Sequence, residues 1–344
     1  MHRERGQGDI NKKIITMKYI IKLSISCIAI AIISSCNNNP KPKPAAAAQQ
    51  LEAYKQVSPL FNEDSAFYFV EKQVSFGPRV VETPEHKKCG DWLMSEFTKY
   101  ADNVIEQKGN STTWDNKKIG IRNVIAQFNP SATKRILITA HWDSRPIADN
   151  DPNEANHTKS ILGADDGGSG VGVMLEMARV LKSNKTDIGV DFICLDAEDL
   201  GNPDSKYKDS YCLGTQYWAT HFHTPNYKAE FAINLDMVGG KGAKFVWEKN
   251  SITYAESTLR KVWEKGVQLG YSDIFYYYQI GEITDDHLYI NTLAHIPAID
   301  IIHFNEETGF PNWWHTLSDN MTNIDRKTLK AVGQSLLEVI YTEK

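Results

Sequence analysis

Four short polar clusters carry residue types that bind metals and move protons: His141-Trp142-Asp143, Asp165-Asp166, Asp196-Ala197-Glu198-Asp199 and His315-Thr316. Asp236 stands alone between the third and fourth. Histidine and carboxylate donors around an open coordination position suit catalytic Zn2+, which takes three protein ligands and one exchangeable water. Each residue also has a plainer use. Asp165, Asp166 or Ser169 can cap the helix that follows, stabilising it by ~1 kcal/mol. His141 alone fits a structural histidine, and Glu198-Asp199 fits a solvated turn. As a set they favour a metal centre, because three of the polar groups directly follow apolar runs.

Those runs are strand candidates. "NVIAQF" (123–128), "RILITA" (135–140), "VDFICL" (190–195), "FAINL" (231–235) and "AIDII" (298–302) are mostly apolar rather than alternating. Strands covered on both faces have that texture. Between them apolar residues recur at helical spacing, as in Val171, Met174, Leu175, Ala178 and Leu181. The expected fold is an α/β sandwich with a mostly parallel sheet. Ligands bind at the carboxyl ends of strands in such sheets. The second, third and fourth runs end at His141, Asp196 and Asp236, so three strands deliver polar groups to one edge.

The chain has 344 residues, 41% apolar and 24% charged, with a net charge of −5. That composition buries a core and gives no basic block for nucleic acid. The stretch "MKYIIKLSISCIAIAIISSC" has a basic start, an apolar run and small residues before Cys36, the layout of an export signal. Its apolar run is shorter than the ~20 residues of a membrane-spanning helix. Ile33-Ser34-Ser35-Cys36 resembles a bacterial lipobox, with Cys36 as the lipidated residue. The expected organisation is a signal and lipoprotein segment over 1–36, a tether over 37–50 and one catalytic domain over 51–344. Residues 1–16 read as a mis-assigned upstream start. The tether "NNNPKPKPAAAAQQ" has nothing to bury. The localisation expected from this is that of an exported bacterial lipoprotein, membrane-anchored and periplasmic, whose only membrane contact is its lipid. Cys89, Cys194 and Cys212 remain, allowing one disulfide at most in an oxidising compartment, and they lack the spacing of a structural zinc site.

The ordered motifs "AHWDS", "GADDGGSG", "LDAED", "LDMVG", "TDDH" and "WHT" resemble the zinc aminopeptidase superfamily from about Phe61 onward. "TDDH" and "FPNWWHT" make the chain more similar to its glutaminyl cyclase branch, in particular to the bacterial lipoprotein members. The resemblance implies a three-layer α/β/α sandwich with a twisted, mixed, mostly parallel central sheet. It implies one Zn2+ held by Asp166, Asp199 and His315, with Asp165 left to the turn. It implies Glu198 as general acid/base and Asp236 with Asp285 as a buried carboxylate pair sharing a proton. Phe310 and Trp314 match aromatic walls of the substrate pocket. Two departures stand out. The animal cyclases carry Glu-Glu where this chain has Glu198-Asp199, and Asp reaches one methylene less far. The loop "LGNPDSKYKDSYCLG" also differs, leaving Tyr207, Tyr211 and Trp218 as candidates for its pocket aromatic.

The activity implied is glutaminyl-peptide cyclotransfer: N-terminal Gln of a peptide or protein becomes pyroglutamate and ammonia leaves. The rival within the superfamily is a two-zinc aminopeptidase, with His141 and Asp236 holding a second metal bridged by Asp166. A non-catalytic binding module is a third reading, disfavoured because every matched position keeps a chemically competent residue.

Overall fold

The computed structural model of the chain describes residues 54–343, so the expectations for 1–36, Cys36 and the tether lie outside the described residues. Among the described residues eight strands and seven α-helices follow in order: α1 (Glu63–Val74), α2 (Pro84–Thr98), β1 (Asn103–Thr112), β2 (Lys118–Phe128), β3 (Arg135–His141), α3 (Gly168–Ser183), β4 (Gly189–Leu195) and α4 (Leu213–Thr220). They continue with β5 (Phe231–Asp236), β6 (Phe245–Trp247), α5 (Lys249–Gln268), β7 (Phe275–Gln279), α6 (Asp286–Thr292), β8 (Ala298–Ile302) and α7 (Arg326–Thr342).

Six strands form the main sheet in the order β1-β2-β4-β3-β5-β8. The four apolar runs at β3, β4, β5 and β8 pair in parallel, while β2 is antiparallel to both β1 and β4. The sheet is therefore mixed and mostly parallel in its interior, as expected. The pleat sends alternate side chains to opposite layers. Ile136, Ile138 and Ala140 of β3 join a core with α1, α2, α3, α5 and α7, whereas Leu137 joins Trp218 of α4 and Ile290 of α6. Helices thus cover both faces. β6 and β7 pair apart from this sheet.

Close helix–sheet approach matters at α3. A Cβ at Gly170 would lie 2.6 Å from the Leu235 carbonyl oxygen and 2.7 Å from Ala140 Cβ. Glycine lets the head of α3 sit directly on β3 and β5, beside the strand ends that carry the polar clusters. Among the described residues no helix is long and apolar enough to cross a membrane.

Candidate active site

The carboxyl ends of β3, β4 and β5 converge as their sequences suggest. His141 closes β3, and its Nε2 lies 3.0 Å from Asp166 Oδ1 and 3.3 Å from Asp236 Oδ1. Glu198 and Asp199 sit on the turn after β4. His315, between β8 and α7, places Nε2 3.3 Å from Asp199 Oδ1 and 3.7 Å from Asp166 Oδ2.

Capping does not explain the double aspartate. The N-cap of α3 is Gly167, at φ 82°, and no side chain caps it. Asp165 turns inward instead, where its carboxylate accepts the Gly239 N–H at 2.9 Å and the Trp313 indole N–H at 3.1 Å. Asp166 faces the site. A Cβ at Gly167 would meet the Asp143 carbonyl oxygen at 2.7 Å, so the turn closes only on glycine.

Two buried carboxylates clamp the two ligand-bearing turns by their main chain. Asp319 accepts the N–H groups of Asp165 and Asp166 at 2.8 and 3.1 Å. Asp143 accepts those of Glu198 and Asp199 at 3.0 and 3.2 Å. A third carboxylate, Asp149, lies 3.3 Å from His315 Nδ1 and is itself held by Arg145 at 2.7 and 2.6 Å. Arg145 also reaches Asp199 Oδ1 at 3.1 Å. Such partners fix the ring orientation of a histidine whose other nitrogen faces an ion. Asp319→Ala leaves two buried N–H groups unsatisfied, so a loss of about 2–4 kcal/mol in unfolding free energy is expected by urea titration.

Four non-glycine residues around the site adopt left-handed backbone: Ala197, Cys212, Met237 and His315, with φ between 49° and 57°. Each is a candidate ligand or acid itself or stands beside one, except Cys212, whose Sγ lies 3.4 Å from Glu198 Oε1. Strained backbone gathers where side-chain aim matters more than local stability.

Burial pushes the Glu198 carboxyl well above its ordinary range, and the negative Asp199, Asp285 and Asp286 push it further. Burial does the same to Asp236, where Asp166 and Asp285 add repulsion. For His315 burial works against the charged ring, yet Asp199 and Asp149 outweigh it and raise the pKa to about 9.

Two sets of donors are close enough to share an ion: Asp166, Asp199 and His315, and His141, Asp166 and Asp236, each with one ligand atom per residue within 4.8 Å of the others. They differ in what is left unmet. Asp166 Oδ2 and Asp199 Oδ2 are buried without any hydrogen-bond partner, and both belong to the first set. The second set shares Asp166, but its His141 Nε2 already bridges Asp166 and Asp236, and the unmet atom of His141 is Nδ1, on the Asp143 side. The first set has the chemistry of a zinc site: one imidazole, two carboxylates and unsatisfied oxygens.

A cavity of about 400 Å3 opens over these donors, with Glu198, Asp236 and Asp285 lining it. Phe310 and Trp314 form part of its wall, with ring centroids 4.4 Å apart, and Trp314 lies 4.0 Å from the His315 ring. Of the three aromatic candidates in the loop after Asp199, Tyr211 lines the cavity. Tyr207 packs on Trp114 instead, and Trp218 is core.

The two residues of the expected pair, Asp236 and Asp285, both line this cavity, and the negative Asp285 adds to the repulsion on the Asp236 carboxyl. Asp236 also lies against His141, while Asp285 lies beside the carboxyl of Asp300 in β8. Asn234 Nδ2 joins Asp285 and Asp300 from the side, at 3.0 and 3.2 Å. The middle of an apolar strand conceals Asp300, although an acid inside "AIDII" was a visible signal. Asp149, Arg145 and Asp319 carried weaker ones: the four-residue spacings of Arg145 to Asp149 and of His315 to Asp319. Cys89, Cys194 and Cys212 are all buried free thiols.

Comparison with known proteins agrees with this geometry. Residues 123–340 match the model of peptidase family M28. Aminopeptidase YwaD of Bacillus subtilis is 31% identical over 232 residues, 64% of this chain and 44% of that protein. A glutaminyl-peptide cyclotransferase of Gloydius blomhoffii is 25% identical over 250 residues, 64% of this chain and 65% of that one. The matched region therefore spans less than two thirds of either curated relative. The crystal structure of a Bacteroides thetaiotaomicron glutaminyl cyclase bound to N-acetylhistamine superposes with a TM-score of 0.82 and 46% identity, covering 84% of this chain and all of that one. With the fold, the donor set and the family model in register, the chain belongs to peptidase family M28.

Proposed function

We propose that the chain is a zinc-dependent glutaminyl-peptide cyclotransferase that converts an N-terminal Gln into pyroglutamate and releases ammonia. The observation that carries this reading is the concentration of unmet carboxylate oxygens in one donor set, Asp166–Asp199–His315, beside the pocket-facing Glu198. One ion suffices for cyclisation, since the nucleophile belongs to the substrate. The 46% identity to a glutaminyl cyclase over that protein's whole length supports the cyclase reading, and the 45% identity to a leucine aminopeptidase precursor makes product analysis the deciding test.

When bound by Asp166, Asp199 and His315, zinc supplies Lewis-acid polarisation of the substrate's side-chain carbonyl. The chain's own groups do the rest. Phe310 and Trp314 fold the glutaminyl side chain back on its own α-amine, and an intramolecular attack held in that geometry gains much of its rate from position. The α-amine, pKa ~8, is mostly protonated at neutral pH and needs a base. Glu198, with its raised pKa, takes that proton. The neutral amine nitrogen bonds to the side-chain carbonyl carbon and gives up a second hydrogen as it becomes the lactam N–H, the bond from that carbon to the amide nitrogen breaks, and the two protons, one relayed by Glu198, leave with the amide nitrogen as ammonium. Asp236 and Asp285 border the amine end of the pocket.

Incubation with a Gln-initiated peptide tests the reading: ammonia and a product lighter by one ammonia support it, and released free amino acids favour the peptidase. Trp314→Ala is expected to raise KM about 10-fold or more with a smaller change in kcat, because it removes aromatic contact area rather than a reacting group. Steady-state kinetics on the same peptide check this. The N-terminal residues 1–36 are read as the export and lipidation segment, a reading supported by the Ile33-Ser34-Ser35-Cys36 pattern. Metabolic labelling with a fatty acid in wild type and Cys36→Ala tests it.

A further inference from the structure

A second depression adjoins the catalytic cavity, and the chemistry above leaves it unused. It holds about 300 Å3 and meets the cavity at Asn202 and Pro203, which line both. A larger groove of about 770 Å3 between α2 and β2 shares no lining residue with the cavity among the described residues. At Arg145 the partition between cavity and depression is one guanidinium thick. Arg145 lines the depression, and its Nη1 donates to the main-chain oxygens of Asp199 and Gly201 at 3.1 and 3.3 Å. Asp199 lines the cavity and is a proposed zinc donor. The depression therefore starts one side chain away from the proposed metal.

The walls of this depression suit apolar surface. Buried Val81 and Ile119 line it and belong to a small core with Ala197, the neighbour of Glu198, so its base is tied to the turn that carries the proposed base. Two large apolar side chains in the same depression are open to solvent, Trp114 at 41% and Ile147 at 38%. Scattered exposed apolar residues are ordinary, but a pair converging on one hollow marks a contact surface. Trp114 sits on the turn between β1 and β2, and the Tyr207 ring packs on it with centroids 5.3 Å apart. The charges here are already matched: Arg145 by Asp149 and Asp199, and Lys117 by Glu82 at 3.3 Å, while Asp115 accepts the Thr113 hydroxyl. A charged side chain entering the depression meets no unpaired opposite charge among these groups. The hollow takes a side chain or two, far short of the ~800 Å2 per partner that a stable protein interface buries. A peptide already held next door fits it better. Extended chain advances about 3.3 Å per residue, so the residues directly after a bound glutamine span a guanidinium-wide partition.

We propose that this depression is a specificity subsite for an apolar side chain on one of the two residues that follow the N-terminal glutamine, with Trp114 and Ile147 setting the preference. It rests on the cyclisation reading, because glutamine in the cavity is what places the following residues.

Ammonia release by the zinc-loaded protein from the amidated peptides Gln-Ala-Ala, Gln-Phe-Ala, Gln-Ala-Phe, Gln-Asp-Ala and Gln-Ala-Asp tests it. One of the two phenylalanine peptides is expected to show kcat/KM about 10-fold above Gln-Ala-Ala, mainly through KM, as partial burial of an aromatic ring allows. Aspartate at that position is expected to do no better than alanine. Trp114→Ala is expected to bring the phenylalanine-to-alanine ratio within about twofold of unity, and Ile147→Ser to lower it about threefold. Because the ratio is taken within each variant, a partly folded preparation cannot imitate the effect, and Ile147→Ser carries the test if Trp114→Ala does not fold. Equal kcat/KM for all five peptides, a preference for aspartate, or a phenylalanine preference that survives in the variants overturns the subsite while the cyclase reading stands. Dimerisation by light scattering that Ile147→Ser abolishes, with no peptide preference, gives the hollow to a second copy and also overturns it. No ammonia from any peptide removes the cyclase reading and the subsite together.

Discussion

Replacing Glu198 by glutamine is expected to lower kcat by about 10²–10⁴-fold while zinc stays at the wild-type level. Glutamine keeps the volume and an acceptor oxygen but takes no proton from the amine. The proposed zinc donors are elsewhere: Asp166, Asp199 and His315 group without it. The backbone N–H of residue 198 still reaches Asp143, so the turn is not released. The pH profile gives a second check. Glu198 must be ionised to act as a base, and its pKa is raised by burial and by Asp199, Asp285 and Asp286. As pH falls through that raised value, kcat/KM falls with it, and this acid limb lies above the ordinary Glu pKa of ~4.3. In Glu198→Gln the limb disappears. Loss of zinc together with turnover would make residue 198 a ligand and overturn its role as base.

Asp166→Asn is expected to weaken zinc binding by at least about 100-fold and to abolish turnover at stoichiometric metal. Asp166 is the residue common to both donor sets, so its loss acts whether one ion or two are held. The neutral amide cannot match a carboxylate against a cation in a site this buried. Metal content by elemental analysis and the activity of chelator-treated, zinc-restored protein measure both effects. The Asp166 N–H remains on Asp319, so the fold should persist. Thermal stability should fall chiefly by the binding energy the ion no longer contributes. An Asp166→Asn protein with full zinc would refute the ligand assignment.

Much of the fold was legible because buried parallel strands are continuous apolar runs. Four of the five runs became the parallel interior, and the fifth is part of β2. β1 was not seen, since it is an edge strand with one exposed side and a mixed sequence, NVIEQKGNST. β6 has three residues, too few for any period to register. In the site, the residues that end strands were readable by position alone. Asp143 and Asp319 were not readable as clamps, because their partners lie 55 and 153 or more residues away. An isolated acid carries no sign in sequence that its oxygens will meet two consecutive N–H groups. Asp300 escaped notice for the opposite reason: its neighbours made it look like core, and its partner Asp285 comes from another element. The shortened reach of Asp199 relative to glutamate is accommodated without visible cost, with His315 still 3.3 Å away.

The left-handed residues around the pocket have a consequence for how such a protein tolerates change. Holding a non-glycine residue in that region costs roughly 1–2 kcal/mol. Ala197, Cys212, Met237 and His315 together therefore absorb an appreciable part of a net stability of only ~5–15 kcal/mol. Thermal selection on this protein would find glycine at position 197 an easy gain, and the freed backbone would loosen the aim of Glu198. Heat resistance and turnover are set against each other at these positions, so hardier variants with intact activity should arise from substitutions far from the pocket.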